Sequence, residues 1–250
     1  MYLELRSSGG NDWQPQAHGF RHEPQAASCC TIWAMTGLFL AFEGLDGCGK
    51  STQLARVADY ARSRGLEPLL VREPGGTVLG EQLRDVLLDP RTGDIAGTAE
   101  ALLYAASRAE LVATRIRPAL LAGGLVLADR FVGSSLAYQG AGRELGIDQV
   151  RRANELAIGD AMPDINVLVR VAVGVAAARR SATDGEADRI ELAGDSFFTR
   201  VARAYDEIAA ADPAGWLVIE GDATPDEVFG ALIAHIGPRI DQLVPEVTVT

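Results

Sequence analysis

The chain has 250 residues, 48% of them apolar and 23% charged, ordinary values for a globular domain that exclude disordered and fibrous classes. Its 34 acidic and 23 basic residues give a formal charge of −11, which excludes a broad nucleic-acid-binding surface as its main business but leaves room for a local anion pocket. Of the 23 basic residues all but Lys50 are arginines; a codon-biased genome accounts for the count, yet the single ammonium group sits in a glycine-rich run and needs its own explanation.

In chain order, Ser7 to Ala27 is rich in Ser, Gly, Asn, Gln, Pro and His without helical or strand period. The apolar run Cys29 to Phe42 is 14 residues long, short of the roughly 20 that span a bilayer, and it lacks a preceding basic flank. Met35-Thr36-Gly37 makes a natural start, so residues 1–34 are expected to be a disordered upstream extension or a misplaced start, followed by one domain over 35–240 and a tail over 241–250. The three cysteines, Cys29, Cys30 and Cys48, build neither a disulfide framework nor a four-ligand zinc site, so the chain reads as reduced and cytosolic. No membrane partner is expected.

From Gly37 onward, continuous apolar runs predict strands buried on both faces: Leu38–Glu43, Pro68–Arg72, Leu125–Asp129, Ile165–Val171 and Trp216–Ile219. Between them, amphipathic patterns predict helices over Lys50–Arg64, Gly80–Leu88, Ala99–Leu121, Gln149–Ile158, Phe197–Ala210 and Pro225–His235. Such alternation implies an α/β domain: a central parallel sheet, helices on both faces and right-handed crossovers. Ligands in such sheets bind beyond the carboxyl ends of the strands.

At the first strand end, Gly44-Leu45-Asp46-Gly47-Cys48-Gly49-Lys50-Ser51 fits G-x-x-x-x-G-K-[ST] between a strand and a helix. The glycines let backbone N–H groups turn inward onto phosphates, Lys50 follows the β- and γ-phosphates, and the Ser51 hydroxyl suits Mg²⁺. The competing reading is a glycine turn before a capped helix. A nucleoside triphosphate with Mg²⁺ is the expectation, held by Gly44 to Ser51 and Thr52. The second strand runs into Arg72-Glu73-Pro74-Gly75-Gly76-Thr77, either a tight loop or a place for a second ligand. The third ends in Asp129-Arg130-Phe131, where an Asp beside a P-loop holds Mg²⁺ or caps a turn and Arg130 can clamp a phosphate.

These three motifs, with Ser134-Ser135-Leu136-Ala137-Tyr138-Gln139-Gly140 and Asp188-Arg189-Ile190-Glu191, resemble the bacterial thymidylate kinase family in order from about Gly37 to Ile236. The resemblance implies a three-layer P-loop fold with a short lid, transfer of phosphate from ATP to dTMP, and a homodimer packed through the region of Ala99–Leu121. It assigns Asp46 to the sugar 3′-hydroxyl and metal region, and Arg72 and Arg130 to the monophosphate. Tyr104, where relatives usually have Phe, stacks on thymine, and Arg108 bonds its carbonyl; their four-residue spacing puts both on one helical face. Ser134 and Ser135 lie near the base edge, Tyr138 crowds the 2′ position, and Gln139 belongs to the same lining. For Tyr104 and Tyr138 alone, core packing is the competing reading.

Family members differ in where an extra catalytic arginine comes from, and Gly47 at the loop position implies a lid source, with Arg180 expected to act alongside Lys50, Asp46 and Arg130. Arg179 and Arg189 are alternatives, Arg189 against a structural salt bridge to Asp188 or Glu191. Ala182 and Asp184 stand where relatives carry arginines, which keeps open a nucleotide-binding protein with weakened catalysis; a kinase for another monophosphate is the other alternative. Arg170 also departs from the family pattern.

Overall fold

The computed structural model describes residues 37–182 and 187–244. The expected extension 1–34, the lid positions Thr183 to Glu186 and the last residues, 245–250, lie outside them. Five strands, β1 (Leu38–Glu43), β2 (Leu69–Arg72), β3 (Leu125–Asp129), β4 (Ile165–Arg170) and β5 (Trp216–Glu220), form one parallel sheet in the order β2-β3-β1-β4-β5. β1 is central, and all six of its residues are buried, as its uninterrupted apolar run demands. The expectation of burial on both faces fails at the two edges: β2 exposes Leu70 by 40%, and most of β5 is half-buried. An edge strand lacks a neighbour on one side, so hydrophobicity alone does not bury it.

The helices are α1 (Lys50–Ser63), α2 (Val78–Leu88), α3 (Gly97–Leu111), α4 (Arg117–Leu121), α5 (Val132–Ser135), α6 (Ile147–Ile158), α7 (Val173–Ser181), α8 (Asp195–Ala211) and α9 (Pro225–Asp241). α1 and α9 pack together on the sheet; α2, α3, α6 and α8 build the other layer. α3 and α4 are one helical run, as its pattern predicts, joined through wide π turns at Val112–Ile116, just where Pro118 removes an N–H from the ladder. α9 starts in a capping box of Thr224 and Glu227 and continues past the expected His235, because its buried face repeats through Leu232, Ile236 and Ile240.

Two of these α-helices, α5 and α7, are absent from the sequence expectations. α5 runs into π turns over Leu136–Gly142, where small residues hide the period. α7 is built on Val173–Ser181, with only Ala176 buried. Arg170, a departure from the family pattern, forms a cross-strand ion pair with its register partner Glu220 and a second pair with Asp206 at 3.4 Å.

Candidate active site

The loop after β1 wraps because Gly44, Gly47 and Gly49 take φ of 135°, 84° and 97°, values costly for other residues. Gly49 caps α1 without any side-chain bond, leaving the first-turn N–H groups open to an anion. A Cβ on Gly47 would lie 2.5 Å from the Ala176 carbonyl oxygen and 3.2 Å from the Arg180 nitrogen: α7 rests directly on the loop, which is why no side chain stands there. Lys50 is 6% exposed; its Nζ lies 3.4 Å from both the Leu45 carbonyl oxygen and Asp46 Oδ1. Ser51 Oγ donates to Asp129 Oδ2 at 2.6 Å, so the two residues expected at the metal are neighbours. A hydroxyl and a carboxylate beside a phosphate cradle are hard oxygen donors that fit Mg²⁺. The Cys48 thiol is buried, and burial pushes its pKa up. The cavity over this loop is lined from Gly47 to Gln53 and closed by Arg179, Gly221 and Pro225.

A second cavity opens beside it, lined by Asp46, Glu73, Arg84, Tyr104, Arg108, Arg130, Ser134, Ser135, Tyr138 and Gln139, with Asp188 and Ile190. Arg130 stands between the two sites. Its Nη2 donates to Asp46 Oδ1 at 2.6 Å and to Tyr138 OH at 3.2 Å, its Nη1 donates to the Gly44 oxygen at 3.0 Å, and the guanidinium carbon lies 4.9 Å from the Tyr138 ring centre. Burial opposes ionisation of Asp46, but the charges of Arg130 and Lys50 outweigh it and hold this carboxyl well below the usual range.

α3 carries Tyr104 and Arg108 on one face, as their spacing predicts, and both line the cavity. The Arg108 side chain is 1% exposed and spends its donors inside the protein: Nε and Nη2 both on Glu73 Oε2, and the others on Ser135 Oγ, on Asn154 Oδ1 and on the Phe131 carbonyl. Burial pushes Glu73 up to about 7 against the pull of Arg108. One carboxylate oxygen of Glu73 is buried without a hydrogen-bond partner. Ser134 sits under Arg130, accepting from its Nη1 at 3.0 Å, so the two adjacent serines serve two different arginines. The π turns after α5 bring Tyr138 and Gln139 onto the same wall. Gln139 Nε2 donates to the fully buried Glu100 at 2.9 Å.

Arg72 is not on this wall. Its side chain is more than half exposed and paired with Glu81 at 2.8 Å, because alternation along an edge strand turns it away. Arg84, not singled out from sequence, takes the place instead, lining the cavity while donating to the Pro74 oxygen at 3.0 Å. The signal was present: Arg84 is the one basic residue of α2. Glu73, Glu100 and Asn154 were also unassigned, since a buried carboxylate or amide leaves no local pattern.

Among the lid arginines, Arg180 lies over the Phe198 ring at 4.5 Å and lines neither cavity. Arg179 lines the P-loop cavity and donates to the Gly221 oxygen at 3.0 Å; one residue is about 100° of helix, which separates the two faces. Arg189 is structural, but with other partners than Asp188 or Glu191: it donates to the Leu87 oxygen at 2.7 Å and Glu100 Oε2 at 2.6 Å.

The sequence pattern of the Thymidylate kinase family matches residues 42–231. A thymidylate kinase of Desulforudis audaxviator is 45% identical over 203 residues, covering 81% of this chain and 91% of that protein. One from Pseudomonas fluorescens is 42% identical over 212 residues, covering 85% and 97%. The crystal structure of thymidylate kinase from Ehrlichia chaffeensis superposes with a TM-score of 0.65 at 29% identity, covering 80% of this chain and 98% of that one. The three strand-end motifs, the parallel sheet and these matches agree: the chain belongs to the thymidylate kinase family.

Proposed function

We propose that this chain transfers the γ-phosphoryl group of ATP to dTMP, giving ADP and dTDP. The observation that carries it is the position of Arg130 and Asp46, which line the nucleoside cavity while Asp46 pairs with Lys50 of the P-loop at 3.4 Å. Two cavities joined by one charge network suit a donor and an acceptor brought into line, which is most of what phosphoryl transfer asks of a protein.

In this reading the Gly44–Thr52 backbone and Lys50 hold the donor phosphates, and Tyr104 offers a ring face to the base. Arg130 and Arg84 hold the acceptor phosphate. Asp46, kept ionised by its cations, orients Lys50 and Arg130 and accepts from the sugar hydroxyl. Arg108 reaches the base carbonyl only by sharing donors it already spends on Glu73, Ser135 and Asn154. Arg179, facing the P-loop cavity, is the lid cation that neutralises the group in flight, in place of Arg180. Ser51 and Asp129 would hold Mg²⁺, which supplies charge neutralisation on the phosphates when bound.

A homodimer is part of the proposal: Val78, Leu79 and Val86 on α2 and Leu102 on α3 expose 82%, 44%, 43% and 55% of their surface, apolar side chains on two packed helices that a second copy would cover. Residues 1–34 as an extension, and a cytosolic site of action, belong to the same reading. The test is a coupled ADP-release assay across nucleoside monophosphates. Turnover fastest with dTMP is expected; none with dTMP, or a clear preference for another acceptor, overturns the assignment.

A further inference from the structure

Arg130 has a φ of 73°, a left-handed conformation at a residue with a full side chain. Such a residue persists only where its surroundings over-determine it. Here they begin with Glu43, the last residue of β1, which is 0% exposed. Its Oε1 accepts from the Phe131 N–H at 2.9 Å, and its Oε2 accepts from Ser134 Oγ at 2.6 Å and Tyr205 OH at 2.9 Å. These donors bracket Arg130: the next residue, the residue one turn on, and a tyrosine reaching in from α8.

Arg130 Nη1 donates in turn to Ser134 Oγ at 3.0 Å and reaches Tyr205 OH at 3.5 Å. Each hydroxyl therefore accepts from the guanidinium and donates to the carboxylate. Glu43 is thereby linked through two hydroxyls to one edge of Arg130, while the other edge, Nη2, faces Asp46, Tyr138 and the cavity. Space is tight as well: a Cβ on Gly133 would lie 2.8 Å from Glu43 Oε1 and 2.7 Å from the Trp216 ring. Neither Glu43 nor Tyr205 lines the nucleoside cavity.

We infer that Glu43 and Tyr205 are positioning residues for acceptor binding, locking the Nη1 edge of Arg130 so that its Nη2 edge is presented to the monophosphate. This rests on the reading of Arg130 as an acceptor-phosphate ligand.

Tyr205→Phe removes one hydroxyl and keeps the ring contacts with Tyr138 and Trp216, both at 6.3 Å between centres. Glu43→Gln keeps the shape and replaces one accepting oxygen by a donating amide nitrogen. In either variant the KM and calorimetric Kd for dTMP rise about tenfold, while the KM for ATP stays within about twofold. In an Arg130→Lys background, Tyr205→Phe adds less than about twofold, because its effect passes through the guanidinium. Unchanged dTMP affinity in Tyr205→Phe, an equal rise for both substrates, or the full loss repeated in the Arg130→Lys background overturns the proposal. Wild-type turnover judges the function separately. If the wild type prefers another monophosphate, that reading fails, and the same comparison made with that monophosphate still decides the roles of Glu43 and Tyr205.

Discussion

Replacing Arg108 by Met keeps most of the side-chain volume and removes the guanidinium. The pair it forms with Glu73 is nearly sealed, with 1% and 3% of the two side chains exposed. The variant leaves Glu73, Ser135 Oγ, Asn154 Oδ1 and the Phe131 oxygen without their donor. Breaking a buried pair from one side costs about 3–5 kcal/mol. The pH dependence gives the sharper signature. In the wild type, burial raises Glu73 to about 7, above its unfolded value of about 4.3. The fold therefore favours the protonated carboxyl: this contribution is full below the unfolded value, is lost as pH rises through about 7, and is level beyond. Without Arg108 nothing offsets burial, the folded pKa climbs further, and the loss continues above 7 at about 1.4 kcal/mol per pH unit. Urea denaturation followed by circular dichroism reads both. The destabilisation is about equal at pH 5.5 and 6.5 and grows by about 1 kcal/mol between pH 7 and 8. A loss below about 1 kcal/mol at pH 8, or one that does not grow with pH, refutes the argument.

Lys50→Ala removes the one ammonium group in the chain and lowers kcat by about 100-fold or more in the coupled assay. Asp129→Asn, which takes the charge from the partner of Ser51, raises the Mg²⁺ concentration for half-maximal rate about tenfold in a metal titration. Arg179→Ala lowers kcat about 100-fold or more, whereas Arg180→Ala changes it less than about threefold; stopped-flow single turnover compares the two directly. Tyr104→Leu raises the KM for dTMP about tenfold and leaves the KM for ATP unchanged, since the lost ring face belongs to the nucleoside cavity alone.

The strands were legible because continuous apolar runs have one use in a sheet covered on both sides: β1 and β3 fall on the predicted residues. The P-loop was legible because its geometry is local. The glycine turn and the Lys50-Ser51 step into α1 follow from residues adjacent in the chain. The spacing of Tyr104 and Arg108 on one helix face was legible for the same reason. α5, with its π turns, was not, because Gly133, Gly140 and Gly142 break any periodic signal, and α7 was hidden by having a single buried residue.

By itself the sequence determined the fold class, the phosphate cradle and the three strand ends that meet around it, since each depends on residues adjacent in the chain. Which arginine does what was decided only in three dimensions. Arg84 stands where Arg72 was expected, because Arg72 lies on an edge strand paired with Glu81 and Arg84 on a helix facing the cavity. Arg108 owes its geometry to Glu73 and Asn154, Arg189 is held by Glu100, and Arg130 is set by Glu43 and Tyr205. In a chain whose cations are almost all arginines, the type of residue carries little information. A guanidinium is defined by the acceptors that surround it, and those come from elements far apart in sequence.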